Sequence, residues 1–109
     1  MFTVYVITGP DGREYVGCTG QSLDVRFRNH VACPPSQFGP DSIAAAIRTH
    51  GADAFTITAI ATGLSYDDAA NAEREAIIQR GTRYPAGYNL RVGGAGFGRS
   101  RWHPKRLVA

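Results

Sequence analysis

Two phenols are followed closely by two guanidiniums and an imidazole near the start of this chain: Tyr5, Tyr15, Arg26, Arg28 and His30. Tyr5 lies in the run Val4-Tyr5-Val6, and Tyr15 opens the run Tyr15-Val16-Gly17. So much polar chemistry exceeds what one small apolar core absorbs. Phenols and imidazoles can move protons, and a guanidinium can clamp a planar or tetrahedral anion. That cluster is the best clue in the chain to what the protein does. Taken singly, each tyrosine also fits a half-buried strand position, and His30 and Arg28 fit a solvated helix end.

The elements around these residues follow from local pattern. Phe2 to Thr8 is β-branched and aromatic, which predicts a strand. Gly9-Pro10-Asp11-Gly12 is a turn, and Arg13 to Cys18 returns as the second arm of a hairpin. Gly17 leaves room for another group to approach the backbone. Ser22 can cap a helix from about Leu23 to Val31, with Asp24 complementing its dipole. Arg26 and His30 stand one turn apart on it, and Arg28 lies about 160° away from His30. The Pro-rich stretch from Cys33 to Pro40 reads as a loop. Asp41 can cap a second helix, Ser42 to His50, stopped by Gly51. Phe55 to Ala61 alternates as a third strand, ended by Thr62-Gly63. Ser65 caps a last helix reaching Arg80, with Asp68 as a capping-box partner and Gly81 as the stop. The expected fold is a small single-domain α/β structure in the order β-β-α-α-β-α. Its three-stranded, mostly antiparallel sheet is flanked by helices, and a loop-rich basic tail follows.

The last helix carries an unusual acid. Ala69, Ala70, Ala72, Ala76, Ile77 and Ile78 mostly gather on one face, and Glu73 falls in their midst. Glu75 points the other way, toward water. A core-facing carboxylate is costly unless it is paired or holds a metal. One reading is a buried salt bridge, with Arg26 as the partner; the other is a metal ligand. The helix alone leaves both open.

Charge is unevenly spread although the net value is only +3. All nine acids lie at or before Glu75, alongside five arginines; seven Lys or Arg follow and no acid. That asymmetry suits an anionic partner near the C-terminal third, or a solvated basic tail. At 109 residues the chain makes one domain that needs no staples. The absence of a long apolar run or a charged-then-apolar leader leads to the expectation of a cytoplasmic protein. Cys18 and Cys33 read as free thiols there. His30 lies three residues before Cys33, which offers a metal-ligand pair, but structural zinc usually takes four protein ligands.

In order, these residues resemble a GIY-YIG nuclease domain. The resemblance runs from about Phe2 to Gly94 and rests on Val4-Tyr5-Val6, Tyr15-Val16-Gly17, Arg26 with His30, Glu73, and Gly87-Tyr88-Asn89. The first motif reads Thr-Val-Tyr in place of Gly-Ile-Tyr, and Val16 replaces isoleucine. The glycine-rich string after Asn89 is most similar to the phage and homing-type branch. The resemblance implies a nuclease domain over residues 1–94 and a Gly/Arg-rich tail over 95–109. It implies a DNA endonuclease using one divalent ion, Mg²⁺ or Mn²⁺, with RNA left open as a substrate. Glu73 would be the metal ligand, with Glu75 as the alternative. Arg26 would clamp phosphate, while Tyr5, Tyr15 or His30 would activate water. Gly17 and Asn89 would support the site. Arg28, Arg91, Arg99, Arg101, Lys105 and Arg106 would hold DNA. A homodimer or a DNA-targeting partner would supply specificity. The alternative is a catalytically inactive nucleic-acid-binding module of the same fold.

Overall fold

The computed structural model describes residues 1–90. The stretch 91–109 lies outside them, and with it the expected boundary at 94/95 and the tail cations Arg91, Arg99, Arg101, Lys105 and Arg106. Strands β1 (Phe2–Thr8) and β2 (Glu14–Thr19) form the hairpin; α1 (Leu23–Ala32), a short α2 (Pro35–Phe38) and α3 (Ile43–His50) follow. A single 3-10 turn (Ala52–Ala54) leads into β3 (Thr56–Leu64), and α4 (Tyr66–Arg80) closes the order. The fold is the expected α/β domain, and its sheet is antiparallel throughout, in the order β2-β1-β3.

Each sheet face carries its own core. Val4, Val6, Val16 and Cys18 pack with Ala69 and Ile77 of α4. Tyr5, Ile7 and Tyr15 face the other way, against Leu23 and Phe27 of α1, Ile43 and Ile47 of α3, Phe55 and Tyr88. This split follows from the period of two along the strands. Odd-numbered positions of the hairpin therefore belong to the α1/α3 layer, and even-numbered ones to the α4 layer. Among the described residues no helix is long and apolar enough to cross a membrane.

Local details depart from the sequence expectations. Ser42, not Asp41, caps α3: its hydroxyl accepts from the Ala45 amide. The stretch read as a loop contains α2, which begins on Pro35, a residue preorganised for a first helical position. β3 does not stop at Thr62-Gly63 but runs on to Leu64. Its register against β1 slips between Phe2 and Val4 and again between Val4 and Tyr5, so bulges absorb the extra residues, and Gly63 sits at φ 69°. Ile78, counted with the apolar stripe of α4, is 64% exposed. It follows Glu73 by five residues, which turns it away from the sheet.

The segment after α4 folds back onto β2. Gly81 ends α4 in the left-handed conformation, and the Tyr88 amide donates to the Glu14 carbonyl at 2.9 Å. That contact requires Gly87. A Cβ there would lie 2.6 Å from Thr82 Cα and 2.7 Å from the Glu14 carbonyl oxygen, and would also strike the Thr82 carbonyl. These are backbone atoms that cannot rotate aside. Gly87→Ala should therefore lower stability by about 2 kcal/mol or more, read as a reduced denaturation midpoint in urea. An unchanged midpoint would mean that the segment is not held against β2.

Candidate functional site

The hairpin register places Tyr5 opposite Gly17 and Ile7 opposite Tyr15. A side chain at position 17 would collide with the Tyr5 hydroxyl and would lie 2.5 Å from Tyr5 Cζ and 2.9 Å from a Tyr15 ring carbon. Gly17 is thus the floor over which the Tyr5 phenol lies. α1 crosses above, held at its start by the Ser22 hydroxyl accepting from the Val25 amide. Arg26 and His30 are four apart, so both hang from the same side of α1. Arg26 Nε donates to the Tyr5 hydroxyl at 3.1 Å, and His30 Nε2 lies 2.8 Å from the same oxygen. The Tyr15 ring centroid is 5.2 Å from His30 and 6.4 Å from Tyr5. Among the described residues the Tyr15 hydroxyl has no hydrogen-bond partner.

Burial dominates the electrostatics. Tyr5 is wholly buried, which pushes its pKa up to about 12 although Arg26 pulls it back. Burial raises Tyr15 further still, helped by the charges of Tyr5 and Glu73. His30 is pushed down to about 3, first by burial and then by the Arg26 charge. At neutral pH the phenols are therefore protonated and the imidazole is neutral. With Arg26 donating to the Tyr5 oxygen, the phenol's own proton points to His30 Nε2, and the ring carries its proton on Nδ1. The Tyr5 hydroxyl then both accepts and donates through its one oxygen.

The acid enters from the opposite layer. Glu73 is 3% exposed on α4, flanked by buried Ala69, Ala70 and Ile77, while Glu75 is exposed. The Glu73 charge reaches Tyr5, Tyr15 and Cys18, raising all three, and stabilises protonated Arg26. Residues from β1, β2, α1 and α4 thus share one electrostatic environment across the sheet. Glu73 is the chain's hard oxygen donor there. Among the described residues no three His, Cys, Asp or Glu side chains gather into a metal cage. The donor set still fits Mg²⁺ or Mn²⁺, which keep several waters and need only one or two carboxylates from a protein.

Asn89 completes the arrangement without joining it. Its side-chain oxygen accepts from the Val16 amide at 2.8 Å, and its side-chain nitrogen donates to the Val16 carbonyl at 2.9 Å. Thr82 donates its hydroxyl to the same Asn89 oxygen at 2.8 Å. The amide therefore stands in for a neighbouring strand along the outer edge of β2, between Tyr15 and Gly17. Sequence reasoning expected Asn89 as a support but missed Thr82. It also missed the brace beside it, where the Tyr88 hydroxyl donates to Asp11 and the Arg13 guanidinium sits 4.6 Å from the Tyr88 ring centroid. Arg13 also pairs with Asp11 at 2.7 Å, holding that carboxyl down to about 2. Local pattern marks Asp11 and Arg13 only as turn residues; their partner lies 77 positions from Asp11.

Of the remaining candidates, Arg28 is exposed on α1. The pairing of His30 with Cys33 does not form: His30 faces Tyr5, while the Cys33 thiol lies against the Pro34 carbonyl and the Gln37 side chain. The fold is that of a small α/β domain with a three-stranded antiparallel sheet. No protein-family model, curated protein or solved structure matches this chain.

The buried neutral imidazole makes stability depend on pH. An unfolded histidine takes up a proton near pH 6.5, whereas folded His30 resists until about 3. The unfolded chain therefore binds the extra proton between these values, and stability must fall as pH drops through that window. His30→Gln keeps an acceptor for Tyr5 and removes the titration. Its melting temperature should decline less steeply than the parent's between pH 6.5 and 4. Equal slopes would show that His30 titrates normally in the folded protein.

Proposed function

We propose that this chain is a divalent-metal-dependent endonuclease that hydrolyses phosphodiester bonds in DNA, in keeping with its resemblance to GIY-YIG nuclease domains. One observation carries the reading: the buried Glu73 carboxylate shares an environment with Arg26 and two phenols although it comes from the opposite side of the sheet. A core needing only packing has no use for that assembly, since leucines of similar volume would be at least as stable.

Arg26 is the phosphate clamp. Its Nε is committed to Tyr5, so its terminal nitrogens take the non-bridging oxygens, where negative charge grows in the transition state. Glu73 is the side chain that would hold Mg²⁺ or Mn²⁺, with water and substrate phosphate as the other ligands. When bound there, the ion supplies positive charge against the phosphate and the leaving oxygen. Tyr5 and His30 form a proton path: the phenol can accept a proton from an attacking water while passing its own to His30 Nε2. A phosphate at Arg26 offsets the smaller of the two effects that keep His30 neutral, burial being the larger. Tyr15, half-buried beside the pair, orients water or phosphate. Arg28 and the cations beyond residue 90 extend the contact along the backbone, which calls for weak sequence preference unless a partner supplies more. Free Cys18 and Cys33 accord with a cytoplasmic setting.

Purified protein should nick supercoiled plasmid with Mg²⁺ and not with chelator. Glu73→Gln should reduce cleavage by at least about a hundredfold while the far-ultraviolet dichroism stays that of the parent, and Glu75→Gln should cut normally. Cleavage by Glu73→Gln at the parental rate would remove the metal role. Salt-sensitive DNA binding without nicking by the parent would favour the non-catalytic module instead.

A further inference from the structure

The two edges of the sheet are treated very differently. On β2, the Tyr88 amide takes the outward carbonyl of Glu14, and Asn89 takes both outward groups of Val16. On β3, no strand pairs beyond it among the described residues. The chain from Ala54 to Tyr66 contains no charged residue and no proline. Most of β3 is exposed, including Thr56, Thr58, Ala59 and Thr62, and Ile60 is 38% exposed. Edges are normally protected by lysines, prolines or strong bulges; here only the bulges at and beyond Ile60 are present.

The hydrogen-bond register says which groups are on offer. Val16 points both backbone groups outward to Asn89, so its partner Val6 points both toward β3, where it faces Thr58. Thr58 is thus bonded inward, and Ile57 and Ala59 present their N–H and C=O groups to the outside. These two residues flank Thr58 symmetrically and precede the bulge. An antiparallel copy with its own Thr58 on a two-fold axis brings Ile57 opposite Ala59 of the second chain, and Ala59 opposite Ile57. The paired stretch carries no charged residue, so no like charges meet.

We propose that β3 is a self-association edge, through which two copies of this chain join their sheets antiparallel about Thr58. The second copy fits better than an unrelated strand because the segment is uncharged and matches itself. Among the described residues each chain has one edge held at Glu14 and Val16 by its own segment and one open edge, so pairing two open edges closes the assembly as a dimer rather than a fibre. The contact is small and main-chain based, which makes the dimer weak and concentration-dependent. This proposal is independent of the nuclease reading.

Sedimentation of the full chain across about 1 μM to 1 mM, the range in which small interfaces assemble, should show the mass rising toward twice the monomer value. Ala59→Pro removes an outward donor without touching the β1 ladder, and Thr58→Lys opposes two cations on the axis. Both should remain monomeric over that range with the parent's melting temperature to within a few degrees. In a Cys33→Ser background, Thr58→Cys should cross-link to itself on mild oxidation and Thr62→Cys should not, because side chains at a non-hydrogen-bonded pair lie closest. A parent that stays monomeric throughout would overturn the proposal. So would a dimer that survives both the lysine and the proline variants, or equal cross-linking at positions 58 and 62.

Discussion

The side-chain amide of Asn89 on the backbone of Val16 is the contact on which the rest of this structure turns. It replaces a missing strand with one residue. Buried Val16 would otherwise carry an orphaned N–H and C=O, each costing about 1–3 kcal/mol. Because Asn89 binds between Tyr15 and Gly17, it fixes the strand that carries one phenol and the gap that admits the other. Thr82 satisfies the same amide, and Gly87 lets the supporting loop come within backbone contact of β2. The Asp11–Tyr88 bond ties that loop to the hairpin turn from a second direction. The hairpin is thus gripped at its turn and at its outer edge, and its site-bearing residues have little freedom.

That rigidity makes the polar cluster tolerable. A phenol, an imidazole and a guanidinium under α1 would be a poor core if any were left unsatisfied. Tyr5 resolves this by accepting from Arg26 and donating to His30 through one oxygen. Burial then holds the phenol protonated and the ring neutral, so the guanidinium carries the formal charge of the trio. Glu73, from the layer across the sheet, supplies the compensating negative charge. The site is electrically coupled through the sheet rather than within one cleft wall. This explains why Cys18, an apolar-layer residue next to Gly17, also feels the acid.

Local physics was enough to read most of the fold from the chain and to single out several of the polar residues that the fold brings together. Tyr5 and Tyr15 sit where strand alternation put them, and α1 carries Arg26 and His30 at the i, i+4 spacing that any helix provides. Glu73 was legible as a misplaced carboxylate because helical periodicity is strong over fifteen residues. Errors arose where the outcome depends on partners far along the chain. β3 outran its Gly63 stop because β1 pairs with it through bulges, and α4 turned Ile78 to solvent because the sheet covers only part of its girth. The protonation states, the grip of Asn89 and Thr82 on Val16, and the asymmetry of the two edges were decided only by tertiary structure. Each depends on burial or on a hydrogen bond between segments about seventy residues apart, and no local pattern encodes that distance.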